Sequence, residues 1–372
     1  MRILLDYRPA LRERTGVGEY VHEVARALAQ SAPAGESLTL FSSSLKDRLI
    51  SPGFSGTTLV DRRVPVRLLN FAWHRLEWPP VERLTGSAFD VVHASHPLLI
   101  PSRNAARLVT IYDLDFLDHP ERTRAEIRRD YPALAGEHAR RADHIVTISR
   151  DTARAIETRL GVEASRISIC YPGAPAWPAR ESEPASGSVL FLGSLVPRKN
   201  LGTLLDAYER LIARMPAAPP LVLAGGQSDE SAPIVERASR PPLAGRVELT
   251  GYVAPADRPA LYRRALVFVM PSFAEGFGMP VIEAMTTGVP VVAANRGALP
   301  EAVGQAGRLF DPEDAAGLAQ ILEQLLSDAA ERRRLSEAGR AHAARFTWAA
   351  AAKGVRDAWT RALAHRQETR RG

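Results

Sequence analysis

The sequence predicts two α/β domains, each built on a parallel sheet, and three observations predict it. Apolar runs of strand length alternate with segments of helical spacing along most of the chain, the pattern of βαβ units. The alternation breaks once, at residues 171–188, where YPGAPAWPARESEPASGS is too rich in Pro, Gly and Ser to continue a helix and reads as a linker. The length, 372 residues with 45% hydrophobic, is that of two ordinary domains with a core each and excludes a mainly disordered chain.

Taken in order, residues 2–6 read as a short apolar strand, followed by a Gly-bearing turn at 15–18 and a helix over 17–30 whose Val21, Val24, Ala25 and Leu28 share a face. Residues 37–41, 89–93, 107–112 and 144–148 read as further strands. Ser149 is placed to cap the helix that follows, with Thr152 and Ile156 in its first turns. After the linker, residues 189–193, 221–224, 247–250, 267–270 and 291–293 read as buried strands with helices between them. From Glu313 onward the chain is helical, rich in Ala, Leu and Arg.

Composition narrows the function. Cys170 is the one cysteine, so neither an intramolecular disulfide nor a cysteine metal cluster can form, which fits a reducing, cytoplasmic compartment. No run approaches the roughly 18 apolar residues of a membrane span. Asp6, Arg8 and Pro9 interrupt the N-terminal apolar stretch too early for a signal peptide. The net charge of +6 divides evenly about residue 175, with no basic tail, so nucleic acid is not expected as a partner.

Chemistry is expected beyond the carboxyl ends of the strands. The densest signal is residues 271–284, PSFAEGFGMPVIEA, a strand end, a glycine-rich loop and a helix start. Gly276 and Gly278 admit backbone conformations closed to other residues, and Pro280 suits a first helical turn. Such a loop offers N–H groups and partial positive charge to a phosphate. Glu275 and, eight positions later, Glu283 would repel that anion but suit hydroxyl groups, as on a sugar and a ribose at either end of a diphosphate. Alternatively, Glu283 serves only the helix dipole and Glu275 is solvated. In residues 191–200, FLGSLVPRKN, Arg198 and Lys199 open a helix, where cations need a compensating partner, and could neutralise a leaving diphosphate. Lys199 is one of three lysines against 45 arginines. Residues 112–120, YDLDFLDHP, carry Asp113, Asp115, Asp118 and His119. Asp113-x-Asp115 could hold a divalent metal on a sugar nucleotide, or the acids could cap a helix beginning near Glu121.

These residues resemble glycosyltransferase family 4 (glycosyltransferase group 1), retaining enzymes of the GT-B fold. The resemblance runs from about residue 188 to 314: Gly-Ser-x-x-Pro-Arg-Lys-Asn, the Ala-Gly-Gly at 224–226, Gly251–Tyr252–Val253, Leu261–Tyr262, the Glu275/Glu283 pair spaced as Glu-x7-Glu, Gly288–Val292, Pro300–Glu301 and Asp311–Pro312. It is looser before the linker, in Thr-Gly-Val-Gly, Val91–His93, Tyr-Asp-Leu with His-Pro-Glu, and the 142–153 stretch. The resemblance implies two Rossmann-like domains facing each other across a cleft. These are an acceptor-binding domain at 1–172, the linker at 173–187, a nucleotide-sugar-binding domain at 188–346, and a helix at 347–372 returning toward the first domain. Glu275 would bind donor-sugar hydroxyls and Glu283 the ribose. Gly276, Phe277, Gly278 and Met279 would place N–H groups near the sugar and diphosphate. Arg198 and Lys199 would stabilise the departing diphosphate. Tyr252 and Val253 would contact the base, Gly193 and Ser194 would form the donor-side turn, and Gly16 and Gly18 would let the first domain approach the donor. Two positions depart from the pattern: Ser194 stands where many members have Arg, a cation Arg198 could supply, and Tyr112 stands where many have His; Asp113 and His119 are candidates for a catalytic role, with His119 alternatively a loop residue beside Pro120.

The resemblance further implies same-face attack, with the departing phosphate taking the acceptor's proton, and no resident metal or cofactor. Variants in Tyr-Asp-Leu and Pro-Arg-Lys-Asn look like those of bacterial polysaccharide mannosyltransferases, making GDP-mannose the first expected donor, to a glycan or lipid-linked acceptor. Residues 66–78, VRLLNFAWHRLEW, could lie on the inner face of a membrane, or pack as a helix through Leu69, Ala72, Trp73 and Leu76. A sugar-nucleotide epimerase of the same fold and an inactive nucleotide-sugar-binding protein are the competing readings.

Overall fold

The structure, a computed structural model, describes residues 1–11, 14, 16–49, 53–120 and 125–371, with 125–127, 129 and 371 described by their backbone alone. Thr15 of the first glycine turn and Glu121 of the expected helix start lie outside the described residues. The chain divides into two compact units, Met1–Gly173 with Thr347–Gly372, and Ala174–Phe346.

The first unit carries a parallel sheet of seven strands: β1 (Arg2–Asp6), β2 (Ser37–Ser43), β3 (Thr58–Arg62), β4 (Val91–Ala94), β5 (Ala106–Ile111), β6 (His144–Thr147) and β7 (Ile167–Ile169). Their spatial order is β3-β2-β1-β4-β5-β6-β7. The second unit repeats the plan with β8 (Ser188–Leu192), β9 (Leu221–Ala224), β10 (Val247–Gly251), β11 (Ala265–Met270), β12 (Val291–Ala294) and β13 (Arg308–Phe310), ordered β10-β9-β8-β11-β12-β13. Both sheets therefore follow the doubly wound order, in which the chain leaves the first strand in one direction and later returns to its other side. The switch points fall between β1 and β4 and between β8 and β11, the places where such sheets bind ligands.

The central strands coincide with the apolar runs of the sequence because both sheet faces are covered and nearly every residue is buried, all of them in β8, β9 and β12. The three strands that the sequence reading omits, β3, β7 and β13, are all sheet edges. They are five, three and three residues long, and a polar residue in each breaks the apolar run; the fourth edge, β10, read as a buried strand at 247–250, has no buried residue because one side of an edge strand is open. Ser149 caps the helix Arg150–Leu160 by accepting the Thr152 N–H.

Segment 174–187 contains no helix or strand and packs against the second unit. The Arg180 guanidinium donates to the Ala265 carbonyl at 2.7 Å, and Glu183 pairs with Arg332 on the helix Ala329–Ala343. The C-terminal helix Trp348–Arg371 packs on β4–β7 and on the helix Gly16–Gln30. Trp359 on it is fully buried and donates its indole N–H to His93 Nδ1 at 3.1 Å. His93 must then carry its proton on Nε2, which donates to Thr110 Oγ1 at 2.9 Å. Burial holds this imidazole neutral, its pKa lowered to about 3.

Residues 66–78 are only partly as expected. The helix Val66–Arg75 buries Leu69 and Trp73 against the sheet. Leu76, expected on that core face, is 61% exposed instead, because it follows the last helical turn; Leu68, Phe71 and Trp78 are exposed as well. No helix among the described residues is long and apolar enough to cross a membrane.

Candidate active site

The chain after β8 turns at Gly193, exposes Ser194, and makes a short 3-10 turn over Pro197–Lys199. Asn200 then takes a left-handed conformation, φ 54°, at the start of the helix Leu201–Arg214. Its side-chain amide donates to the carbonyls of Pro271 at 3.1 Å and Pro312 at 2.7 Å, and its oxygen accepts from Thr203. One buried amide thus ties together the loops that follow β8, β11 and β13. Beside them, the turn after β9 packs so closely on the β8 turn that a Cβ on Gly225, φ 152°, would sit 1.9 Å from the Gly193 carbonyl oxygen. Only glycine fits there. Gly225 N–H in turn donates to the Gly251 carbonyl, so the ends of β8, β9 and β10 form one rim. Tyr252 stands on that rim, 42% exposed, with Val253 half-buried beside it.

Across the switch point, the loop after β11 brings Glu275 to the two cations. Lys199 Nζ donates to Glu275 Oε1, and Arg198 lies 3.6 Å from Oε2 while donating to the Ala274 carbonyl at 2.9 Å. The Lys199 and Glu275 side chains are 8% and 9% exposed, Arg198 30%. Burial alone would raise the Glu275 pKa, but Lys199 and then Arg198 outweigh it and hold the carboxyl below its ordinary range. Residues read in the sequence as serving the sugar and the diphosphate separately therefore form one ion-paired cluster, and Glu275 is the partner that two cations at a helix start require. Gly276 and the buried Phe277 lead to Gly278, φ 103°, which caps the helix Met279–Thr286 with Pro280 in its first turn. A Cβ at Gly278 would meet Leu299 at 2.9 Å.

Glu283 lies one turn into that helix, buried. Tyr262 donates its hydroxyl to Oε2 at 2.8 Å, and Arg258 approaches Oε1 at 3.3 Å, both from the helix Arg258–Arg263. Burial raises the Glu283 pKa, with Arg258 and Tyr262 opposing it. The sequence reading quoted Tyr262 only as part of a resemblance and missed Arg258. No spacing rule links either to Glu283, because the contact crosses between two helices.

In the first unit, Gly16 is exposed at the helix start with φ 32°, whereas Gly18 is buried, its Cβ position 2.9 Å from the Pro9 carbonyl oxygen. Asp113 Oδ1 accepts the Asp115 N–H at 3.2 Å at the entry to the short helix Asp115–Asp118, and Asp118 forms a two-pronged pair with Arg159 at 2.6 and 2.8 Å. His119 closes that helix, its N–H donating to the Asp115 carbonyl. No group of three or more His, Cys, Asp or Glu able to hold a metal ion is brought together among the described residues. Tyr112 is a core residue, its ring edge-on to Tyr20 and its hydroxyl donating to the Ser95 carbonyl at 3.4 Å. The first unit's own switch point holds a cluster the sequence reading passed over. Asp6 is fully buried, pairs with Arg8 at 2.8 Å, and lies 3.3 Å from His96, while Arg8 also donates to Asn70 and stacks over Trp73. The signal was present: an acid and an arginine directly ending an apolar strand.

The family model described as Glycosyl transferases group 1 matches residues 179–342, and that of Glycosyltransferase Family 4 matches residues 14–176. The O-antigen chain mannosyltransferase B of Escherichia coli is 29% identical over 369 residues, covering 94% of this chain and 96% of that one. Among solved structures, a sucrose-phosphate synthase of Thermosynechococcus elongatus superposes with a TM-score of 0.78 at 20% identity over 98% of this chain and 99% of its own. Alr3699/HepE of Anabaena, solved in complex with UDP and glucose, gives 0.72 at 19% identity over 96% of this chain and 98% of its own. The two sheets and helical C-terminus are those of the GT-B fold.

Proposed function

We propose that this chain, which belongs to the group 1 and family 4 glycosyltransferases, moves a hexose with retained configuration from a nucleotide-diphosphate sugar to a glycan or lipid-linked acceptor in polysaccharide synthesis, with GDP-mannose as the donor. The observation that carries the donor reading is the cluster at the β8/β11 switch point. Two cations, the Glu275 carboxylate and a glycine-capped helix N-terminus converge there from loops that share one buried amide, and Glu283 lies buried within the helix that follows.

The division of labour follows from charge. The bond between the anomeric carbon and the diphosphate oxygen breaks with negative charge growing on the diphosphate. Arg198, Lys199 and the N–H groups of 276–279 meet that charge, doing by fixed cations what a divalent metal does in other sites. Glu275 accepts hydroxyls of the sugar and holds Lys199 in place. Glu283 accepts the ribose hydroxyls, and Tyr252 and Val253 border the base. The acceptor oxygen attacks the face the diphosphate leaves, and its proton passes to the departing phosphate oxygen. Catalysis is then mainly positioning and charge stabilisation. The first unit is assigned the acceptor side, with Asp113 and His119 as its candidates for a catalytic role and Gly16 and Gly18 serving its approach to the donor. Transfer from 13C-labelled GDP-mannose to mannose-terminated oligosaccharides, with the product anomer read by NMR, tests this. An inverted product refutes the mechanism.

The exposed face of residues 66–78 adds a membrane surface to the proposal. Leu68, Phe71, Leu76 and Trp78 are exposed, as is Leu45, and Arg48, Arg63 and Arg67 lie among them in the sequence and are exposed too. Apolar side chains interleaved with arginine suit an anionic bilayer carrying a lipid-linked acceptor. Co-sedimentation with anionic vesicles at low salt is expected, and its loss in a Phe71→Ser, Trp78→Ser variant. Equal binding to neutral and anionic vesicles, or none, contradicts it.

A further inference from the structure

Tyr262 and Arg258 do more than fill the interior of the second unit. The Tyr262 ring is fully buried, flanked by Trp177 of segment 174–187 at 6.0 Å between centroids and by Phe268 of β11 at 5.6 Å. Its hydroxyl reaches past this packing to Glu283 Oε2 at 2.8 Å and lies 3.2 Å from the Pro280 carbonyl in the first turn of the same helix. Arg258, also buried, reaches Oε1. The helix carrying both residues begins a few positions beyond Tyr252 and Val253, so one short element connects the rim turn of β10 to the Glu283 carboxylate.

A carboxylate has about four lone-pair positions, two on each oxygen. Tyr262 takes one on Oε2 and Arg258 one on Oε1. One remains on each oxygen, which is what a vicinal diol requires. The Glu283 side chain keeps 7% of its surface open.

We propose that Tyr262 and Arg258 are positioning residues for nucleotide recognition: they fix the Glu283 carboxylate so that its two remaining acceptor positions receive the 2′- and 3′-hydroxyls of the donor's ribose. This rests on the reading of Glu283 as the ribose acceptor. The geometry adds which residues set that acceptor and makes the preference for ribose a property of three side chains rather than one.

The test is the affinity of GDP and UDP against their 2′,3′-dideoxy forms, by calorimetry on the full chain. For the better-bound base, wild type should prefer the ribonucleotide by roughly tenfold or more, the scale of hydrogen bonds to a charged group. Glu283→Gln should lose most of that preference. Tyr262→Phe, which keeps the ring, and Arg258→Lys should each lower ribonucleotide affinity several-fold and leave dideoxynucleotide affinity unchanged, shrinking the ratio. A purely structural role would weaken both ligands alike and leave the ratio intact. The proposal is overturned if Glu283→Gln abolishes the preference while Tyr262→Phe and Arg258→Lys keep the wild-type ratio. If wild type shows no preference, or binds neither nucleotide, the reading of Glu283 fails and the proposal falls with it.

Discussion

Replacing Glu275 by Gln should destabilise the second unit, and by more than replacing the lysine it holds. The carboxylate and Lys199 are both buried, and Lys199 donates directly to it. Removing one charge of a buried pair leaves the other uncompensated, at a cost of about 3–5 kcal/mol. Glutamine keeps an acceptor for the ammonium, which places Glu275→Gln near the lower end, about 3 kcal/mol. Lys199→Met leaves Glu275 with Arg198 at 3.6 Å, so a smaller loss of about 1–2 kcal/mol follows. For a unit of this size about 1 kcal/mol moves Tm by roughly 2–4 °C, giving a drop of roughly 6–12 °C for Glu275→Gln. Scanning calorimetry of the full chain reads it. The pH dependence has a definite sign. The folded pKa of Glu275 lies below its unfolded value, so its contribution is complete above the ordinary carboxyl range and is lost as pH falls through the folded value. The gap between wild type and Glu275→Gln should be flat from pH 6 to 8 and close in acid. A variant melting within about 2 °C of wild type at pH 7 would refute the ion-pair account.

Other substitutions separate tight geometry from tolerance. Gly225→Ala should cost more than about 3 kcal/mol, because its Cβ would overlap the Gly193 carbonyl, while Gly226→Ala, with nothing within 4 Å of its Cβ position, meets no clash; soluble yield and Tm distinguish them. Trp359→Phe should remove the indole donation to His93 and lower stability by about 1–3 kcal/mol in urea unfolding, with no change in nucleotide affinity. Asp118→Asn should cost less than about 1 kcal/mol, since its pair with Arg159 is exposed, and leave nucleotide binding unchanged; a binding loss restored by Mn²⁺ would place the chemistry on the Asp113 loop instead.

The buried strands were legible because a doubly covered parallel sheet writes itself as apolar runs; β1 and β9 match their expected spans to the residue. The edges β3, β7 and β13 were not, since strands of three to five residues broken by Asp, Ser or Arg have no apolar run to show, whereas the edge β10 was read from residues 247–250 as a buried strand and has no buried residue. Leu76 illustrates a different limit: helical spacing names a face, but not where the helix stops, and Leu76 lies just past the end. Within the candidate site, the glycines, Arg198, Lys199, Glu275 and Glu283 stood out as unusual chemistry at strand ends. What could not be read was who pairs with whom. Lys199 meets Glu275 76 positions away, and Glu283 meets Arg258 and Tyr262 across two helices. Those contacts are made by the sheet order, which no local pattern encodes.

The donor site at the β8/β11 switch point is tested most directly by calorimetric titration of GDP-mannose and UDP-glucose into wild type and Glu283→Ala, in EDTA and then in Mn²⁺. The account predicts saturable one-to-one binding of one donor in EDTA, unchanged by Mn²⁺ and lost in Glu283→Ala. Binding that requires Mn²⁺, or that survives Glu283→Ala undiminished, would contradict it.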